Sequence, residues 1–221
     1  MTDGWSVREL VDTISTRGSA ECIVAFTSQG PVRQTSQMLA NDVRKLVAGL
    51  QSMGLQPGDR AGVWGPNTPE WITAALSLMA IGCVLVPIDD GFGKAEAERL
   101  LIAASVKALF STADHWDQLS PDVLAGIEHC VTFGSEQWQN LLDHPQASLG
   151  AIDEEQPAAL LATSGTTGAP KLFNLSHGNI GANVQALAEA GIADAKDSAL
   201  LPLPLHHAYP LIVGMLTPLT V

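Results

Sequence analysis

Apolar residues follow two alternating patterns along the chain, one typical of amphipathic helices and the other of buried strands. Residues 34–53 place leucine and valine at helical spacing, whereas residues 60–64 and 83–88 are short and largely apolar. Helical spacing predicts one buried helix face, and uninterrupted apolar runs predict strands that are covered on both faces. The alternation therefore predicts an α/β fold, a layered and mostly parallel sheet with helices on both faces.

The remaining segments extend this alternation of helices and strands. Residues 113–156 are weakly patterned and predict short helices and loops around one strand. Hydroxyl residues precede two helices, so Thr35 or Ser36 and Ser176 are expected N-caps. The predicted helices are 34–53, one that opens at 67–70, 94–105, 176–191 and 208–219. The predicted strands are 60–64, 83–88, 107–111, 130–133, 158–162, 171–175 and 198–203.

The uncharged run at residues 71–88 is long enough to be considered as a membrane span. Gly82 divides the run, Pro87 lies near its end, and its second half is rich in β-branched residues. A buried helix followed by a buried strand explains the run better, so we predict no transmembrane segment.

The charge balance excludes several classes of partner. The 221 residues include 11 Lys and Arg against 23 Asp and Glu, which gives a formal net charge of −12. Nucleic-acid phosphates and anionic lipids both attract basic surfaces, so the composition disfavours both as partners. Between residues 108 and 195, Lys171 is the only lysine or arginine in the sequence. Lys171 is therefore a candidate for contact with a specific anionic ligand.

The cysteines indicate a reducing compartment. Cys22, Cys83 and Cys130 are far apart in sequence and form no CxxC pair, so we expect buried free thiols and no zinc site. The N-terminal residues show no apolar signal-peptide core. These features predict a cytoplasmic location.

Residues 163–171 combine four hydroxyl side chains, two glycines and one lysine in the sequence TSGTTGAPK. Glycines let backbone N–H groups approach an anion, hydroxyls donate to phosphate oxygens, and lysine supplies charge. The loop follows a predicted buried strand, a common place for ligands in α/β sheets; a flexible linker is the alternative. A Walker P-loop is disfavoured because Pro170 and Leu172 replace its glycine and Ser/Thr, and because a strand is predicted next.

This loop resembles the phosphate-binding signature of adenylate-forming, or AMP-binding, enzymes. That superfamily includes acyl-CoA synthetases, luciferases and nonribosomal adenylation domains. Positions 163 to 171 fit the signature throughout, while Ala162 replaces an aromatic residue and Leu172 replaces a glycine. The resemblance implies that Lys171 is catalytic, because it would stabilise charge on the ATP phosphates. It implies the following phosphate-binding residues: Thr163, Ser164, Gly165, Thr166, Thr167, Gly168 and Lys171.

Other segments resemble the same superfamily in order and spacing. They are residues 54–60, 66–71, 82–89, 175–180 and 204–207. The last segment fits the pattern P-L-[FY]-H, which implies that His207 lines the nucleotide and acyl pocket. His206 occupies the aromatic position, and because neighbouring strand residues point to opposite faces, we expect it to be structural. His177 is expected to support the start of a helix.

No metal site is predicted within this sequence. Asp89, Asp90 and the acidic residues 153–155 are interpreted as solvated carboxylates because they lack the spacing of metal ligands. The resemblance implies that Mg²⁺ accompanies ATP, and that the glutamate which holds it belongs to a family motif that is not found in these 221 residues.

The resemblance implies a two-step ligase reaction. A carboxylate, expected to be fatty because residues 211–213 are apolar, would react with ATP to give an acyl-adenylate. A thiol, expected to be coenzyme A, would then displace AMP. The alternative is a non-catalytic half-domain with at most weak nucleotide binding.

The family's enzymes are longer than this sequence, so we interpret residues 1–221 as the N-terminal part of the large domain of such a ligase. Residues 1–150 would form its first α/β portion and 151–221 the phosphate-loop portion, with the C-terminal domain absent. Motifs of the family for ribose and carboxylate contacts are also missing, so we expect this chain alone to be inactive. The apolar residues Leu211, Ile212, Met215 and Leu216 would then be exposed, which predicts self-association.

Overall fold

A six-stranded sheet forms the centre of the protein, with a separate two-stranded hairpin near the N-terminus. The computed structural model describes residues 5–28, 30–163 and 170–221. The strands are β1 (Glu21–Thr27), β2 (Gly30–Thr35), β3 (Arg60–Trp64), β4 (Val84–Ile88), β5 (Ala108–Ser111), β6 (His129–Thr132), β7 (Pro157–Thr163) and β8 (Lys171–Ser176).

Helices of different lengths connect these strands, and a π-helix lies near the C-terminus at Pro210–Leu216. The α-helices are α1 (Val7–Thr16), α2 (Ser36–Ser52), α3 (Pro69–Ala80), α4 (Lys94–Ala104), α5 (Ala113–Trp116), α6 (Pro121–Ala125), α7 (Glu136–Leu142), α8 (His177–Glu189) and α9 (Thr217–Thr220).

The central sheet has the strand order β6-β5-β3-β4-β7-β8. All neighbouring pairs are parallel except β7 and β8, which are antiparallel. This arrangement confirms the predicted α/β class with a mostly parallel sheet. Because parallel strands share a direction, the carboxyl ends of β3, β4, β5 and β7 meet at one edge of the sheet, which we call the carboxyl edge. The opposite edge, where these strands begin, is the amino edge.

The two faces of the sheet pack against different groups of helices. Neighbouring residues along a strand alternate between the faces: Phe110 joins the larger hydrophobic cluster with α1, α2 and α3, whereas Leu109 joins the smaller one with α4. Leu85 and Val86 divide in the same way. Helices therefore cover both faces, as the continuous apolar strands predicted.

The helix starts are set by hydroxyl side chains. Thr35, Thr68 and Ser176 each accept a hydrogen bond from the backbone N–H of the third residue of the following helix. The Asn179 side-chain oxygen in turn accepts a hydrogen bond from the Ser176 N–H, which completes a capping box. The structure confirms the predicted cap at Ser176, and of the two candidates Thr35 and Ser36 it shows that Thr35 is the cap of α2.

The run at residues 71–88 is a helix and a strand. It forms most of α3 and all of β4, and the α3 residues from Trp71 to Ala80 are buried inside the protein. Within the described residues, the helices are too short or too polar to span a membrane.

The C-terminal segment is buried, contrary to the prediction of an exposed apolar surface. Leu211, Ile212, Met215 and Leu216 are each at most 8% exposed because α8 packs against the π-helix, while α1 and α8 pack against the adjoining α9. Arg17 donates to the Thr220 carbonyl at 2.8 Å and thereby joins the two ends of the chain. The observation on which self-association was predicted therefore does not hold.

Two further regions differ from the sequence prediction. Residues 198–203 were predicted as a strand, but they form no strand because they pair with no neighbour in the described structure. The side chain of Asn67 instead binds the end of this segment, donating to the Leu203 carbonyl at 2.9 Å and accepting from the Leu205 N–H at 3.0 Å. Helix α1 and the β1–β2 hairpin were not predicted.

Candidate active site at the carboxyl edge of the sheet

The loop predicted to bind phosphate begins and ends at a fixed point of the sheet. Thr163, the last residue of β7, pairs with Lys171, the first residue of β8. The Thr163 hydroxyl also donates to the Lys171 carbonyl at 3.4 Å. The pairing holds both ends of the loop at the carboxyl edge. Ser164, Gly165, Thr166, Thr167 and Gly168, predicted to complete the phosphate site, lie outside the described residues.

Lys171 is exposed at the first position of β8. Within residues 5–28, 30–163 and 170–221, no carboxylate forms an ion pair with its ammonium group. Its charge is therefore open to an anionic ligand. The residue that follows the loop belongs to a strand, which agrees with the rejection of a Walker P-loop, in which a helix follows.

His206 and His207 lie in a turn before the π-helix, where the alternation expected of a strand does not apply. Their rings are in contact, with centroids 4.0 Å apart and planes inclined by 54°, so the expectation that they point to opposite faces was wrong. His207 is exposed and His206 is half-buried. The turn stands next to the end of β4, since His206 Nε2 lies 3.5 Å from Asp89 Oδ2.

Asp89 and Asp90, interpreted from sequence as solvated carboxylates, each face a histidine. Besides the contact of Asp89 with His206, the Oδ1 atom of Asp90 lies 3.4 Å from His115 Nε2. Asp89 Oδ1 also accepts the Gly91 N–H at 2.9 Å. These contacts join residues that are far apart in sequence, so no local motif could have indicated them.

His115 is a buried member of this edge that sequence analysis did not single out. Its ring stacks on Trp64 with a centroid distance of 4.0 Å and an interplanar angle of 5°. Its Nδ1 atom lies 3.0 Å from the hydroxyls of both Ser111 and Thr112. Trp64 in turn donates its Nε1 hydrogen to the Asp89 carbonyl at 3.0 Å. The ends of β3, β4 and β5 are thus tied together beneath the His206–His207 turn.

Burial changes the protonation of two histidines. It lowers the pKa of His206, although the negative charges of Asp89 and Asp90 act in the opposite direction. Burial lowers the pKa of His177 to about 4, and neither of its ring nitrogens has a hydrogen-bond partner within the described structure. His177 is the first residue of α8 and lies at the amino edge, away from the candidate site. The supporting role expected of it at the helix start stays a prediction.

A cavity of about 700 Å³ opens at the amino edge, beside the starts of β3 and β5. Lys107 lies within it and pairs with Asp59 at 2.8 Å and with Glu128 at 4.0 Å. Burial alone would raise the pKa of Asp59, but hydrogen bonds from Lys107 and from the Gln56 N–H hold that pKa below its ordinary value. Within the described part of the chain, the Lys107 charge is therefore already paired, unlike that of Lys171 at the carboxyl edge.

The described residues contain no group of three His, Cys, Asp or Glu side chains arranged to hold a metal ion. The free thiols are Cys22, Cys83 and Cys130. Cys83 is buried as expected, and burial raises its pKa to about 12, whereas Cys22 and Cys130 are half-buried.

Comparison with known proteins identifies the family to which this chain belongs. The family model of the AMP-binding enzymes matches residues 12–221, so the chain belongs to the AMP-binding enzyme family. A mitochondrial medium-chain acyl-CoA ligase of Bos taurus is 30% identical over 230 residues, which cover 85% of this chain and 37% of the relative. A feruloyl-CoA synthase of an Amycolatopsis species is 31% identical over 189 residues, covering 81% of this chain and 35% of that protein.

Solved structures show the same fold. A long-chain-fatty-acid–CoA ligase from Archaeoglobus fulgidus superposes with a TM-score of 0.88 at 22% identity and covers 99% of this chain and 46% of its own. ATP-bound MatB from Rhodopseudomonas palustris gives a TM-score of 0.80 at 22% identity, covering 96% of this chain and 43% of its own. The chain thus spans little more than a third of the curated relatives named above, and its fold is that of the N-terminal portion of such ligases.

Proposed function

We propose that this chain is the N-terminal, phosphate-binding part of an ATP-dependent carboxylate–CoA ligase. The observation that carries the proposal is the placement of Thr163 and Lys171 at the carboxyl edge. The two residues hold both ends of the loop that fits the family's phosphate signature, and the Lys171 charge is unpaired among the described residues. The non-catalytic alternative has no comparable support from the described residues.

The proposed reaction has two steps. In the first, a carboxylate oxygen attacks the α-phosphorus of MgATP, and the bond from that phosphorus to the oxygen bridging to the β-phosphate breaks. Pyrophosphate leaves and an acyl-adenylate forms. In the second, the sulfur of a coenzyme A thiolate attacks the acyl carbon, the bond from that carbon to the phosphate oxygen breaks, and AMP leaves.

The proposed role of this chain in the first step is electrostatic. Lys171 would place its charge near the departing pyrophosphate, where negative charge develops. The hydroxyls of Ser164, Thr166 and Thr167 would donate hydrogen bonds to phosphate oxygens, while Gly165 and Gly168 would let backbone N–H groups approach. His207 would line the nucleotide and acyl pocket from the exposed turn next to β4.

The proposed substrate is a fatty carboxylate. Leu211 and Ile212, which suggested an apolar substrate from sequence, are buried among other core residues, so they give no evidence about the acyl group. Support comes instead from the similarity to a ligase named for medium-chain acyl groups. A feruloyl-CoA synthase is equally similar, so octanoate and ferulate should be compared directly as substrates.

The test is carboxylate-dependent ATP–pyrophosphate exchange by the full-length protein. We expect Lys171→Ala to slow exchange by about 100-fold, because one charged contact to the reacting phosphates is lost. Lys107→Ala is the matched control at the amino edge, and its rate should stay within about twofold of wild type. An unchanged rate in Lys171→Ala, or an equal loss in both variants, would contradict the assignment.

The same assay tests the role of this chain by itself. We propose that the purified 221-residue chain produces no acyl-adenylate, because the family's motifs for ribose and carboxylate contacts are not found in its sequence. Carboxylate-dependent release of pyrophosphate from this chain would contradict that proposal. Its free thiols are compatible with a reducing compartment such as the cytoplasm.

A further inference from the structure

The residue before His207 is where this chain departs from the pattern of its family. The pattern P-L-[FY]-H has an aromatic residue whose charge does not change near neutral pH, because Phe has no ionisable group and Tyr loses its proton only at about pH 10. This chain has His206 at that position. An imidazole gains charge between pH 5 and 8 when its environment permits, so the substitution introduces a titratable group beside His207.

The structure provides an acidic partner for that group. Asp89 Oδ2 lies 3.5 Å from His206 Nε2, and the His206 side chain is 11% exposed. Nε2 is buried and makes no hydrogen bond of good geometry. Asp89 is held at the end of β4, since its Oδ1 accepts the Gly91 N–H and its carbonyl accepts the Trp64 Nε1–H. A fixed carboxylate therefore faces a ring nitrogen that lacks a partner.

His206 is also in contact with the residue predicted to line the pocket. The rings of His206 and His207 have centroids 4.0 Å apart. The His207 carbonyl accepts the Leu211 N–H at 3.1 Å, which connects the turn to the buried π-helix. With its backbone held there, the orientation of the exposed His207 ring depends on the neighbouring ring.

We propose that His206 is a proton-sensitive positioning residue, which orients the His207 ring through its contact with Asp89. This proposal rests on the proposed function, in which His207 lines the pocket. When His206 gains a proton, its attraction to Asp89 strengthens and it draws towards the end of β4. The His207 ring, packed against it, then changes orientation, so activity falls towards acidic pH.

The other charges around His206 act in known directions. Asp90, from the end of β4, favours the protonated form, whereas His207, from the same turn, disfavours it when charged. His115, from α5, faces Asp90 and competes for that carboxylate. Burial keeps the pKa of His206 below its ordinary value, so we expect the transition on the acidic side of neutrality.

The first part of the test is an NMR titration of the histidine side chains in the 221-residue chain. Asp89→Asn removes the charge that favours protonation, so the pKa of His206 should fall by about half a unit or more. During the wild-type titration of His206, the ring signals of His207 should shift with the same midpoint. Asp122→Asn, at the amino edge, is the matched control and should leave the His206 midpoint unchanged.

The second part measures kcat and KM for carboxylate against pH in the full-length protein. His206→Phe keeps an aromatic ring but removes the group that gains a proton. The fall of kcat/KM towards acidic pH should therefore involve one ionisation fewer than in the wild-type protein. In Asp89→Asn the decline should move to lower pH by the same amount as the NMR midpoint. A stability defect alone would lower activity without removing one ionisation in His206→Phe or displacing its midpoint in Asp89→Asn by the amount seen by NMR.

The outcomes separate the proposal from the function on which it rests. If Asp89→Asn does not change the NMR midpoint of His206, the proposed contact with Asp89 is wrong. If His206→Phe does not alter the pH profile of kcat/KM, the positioning role is wrong. If the wild-type protein shows no carboxylate-dependent exchange at any pH, the proposed function fails. The contact between His206 and His207 is then judged on the NMR titration, where His207 signals that do not follow His206 overturn it.

Discussion

The amino and carboxyl edges of the central sheet each carry a lysine, and the two lysines have different surroundings. At the amino edge, Lys107 is partly buried and lies 2.8 Å from Asp59 and 4.0 Å from Glu128. At the carboxyl edge, Lys171 is exposed and has no acidic partner among the described residues. An ion pair such as that of Lys107 contributes to contacts within the folded chain, whereas an unpaired charge next to a loop can bind a ligand.

The histidines repeat this contrast between the edges. His177, at the amino edge, is 1% exposed, and burial alone sets its protonation. His206, at the carboxyl edge, is only partly buried and faces Asp89. The same residue type thus contributes to stability at one edge and is placed to respond to pH at the other. The comparison predicts that perturbing His177 changes stability and that perturbing the carboxyl edge changes local order or ligand binding.

The largest effect is expected from acid at the amino edge. His177 has a pKa of about 4 when folded against an ordinary value of about 6.5, so between these values the unfolded chain binds a proton that the folded chain does not. Above about pH 6.5, His177 therefore does not lower the free energy of unfolding. Below about pH 6.5, protonation of the unfolded chain lowers that free energy progressively as the pH falls towards about 4. Between pH 7 and 5 the free energy of unfolding should decrease by about 2 kcal/mol on this account.

Urea denaturation at both pH values measures this effect, with variants at two histidines. His177→Phe removes the titrating group and should flatten the pH dependence by that amount. His144→Gln changes a half-buried histidine just after α7, whose Nε2 lies 3.3 Å from the Ser52 hydroxyl, and should retain the wild-type dependence. The assignment fails if His177→Phe loses stability between pH 7 and 5 as steeply as the wild-type chain does.

A smaller and local effect is expected from Asn67 at the carboxyl edge. Asn67→Ala removes both hydrogen bonds that attach the segment at Leu203–Leu205 to the loop before α3. Each such bond contributes about 1 kcal/mol, so the Leu205 amide should exchange its hydrogen about tenfold faster.

Hydrogen exchange followed by NMR is the measurement, and Asn67→Asp is the matched variant. It retains an oxygen to accept the Leu205 N–H but loses the donor to the Leu203 carbonyl, so the Leu205 amide should stay largely protected. Equal exchange at Leu205 in both variants would show that the side chain does not hold this segment. Amides of β3 serve as an internal reference because neither variant should affect them.

The sequence predicted the sheet well because its strands carry a strong local signal. The parallel strands β3, β4 and β5 are short, largely apolar runs that are buried on both faces, so they could be located from residue type alone. Residues 198–203 are also a short and largely apolar run, but they form no strand. Whether an apolar run becomes a strand depends on a neighbour to pair with, and this is not encoded in the run itself.

The part of the candidate site that lies in one continuous segment could be predicted from sequence, whereas contacts between distant segments could not. Thr163 and Lys171 were found through a continuous loop pattern, and their pairing across β7 and β8 agrees with it. The contacts of Asp89 with His206 and of Asp90 with His115 join segments that only the sheet topology brings together. Likewise, Leu211 and Leu216 are buried in a hydrophobic cluster that also includes residues of α1, from the other end of the chain.

The central claim is that anionic phosphate binds at the carboxyl edge, beside Lys171, and not in the cavity beside Lys107. An NMR titration of the 221-residue chain with pyrophosphate tests it most directly, because the backbone amide signals report which edge is affected. We predict saturable shifts at Thr163, Lys171 and the loop between them, with no change at Asp59 or Lys107, and loss of these shifts in Lys171→Gln. Shifts confined to Asp59, Lys107 and Glu128, or unaffected by Lys171→Gln, would contradict the account.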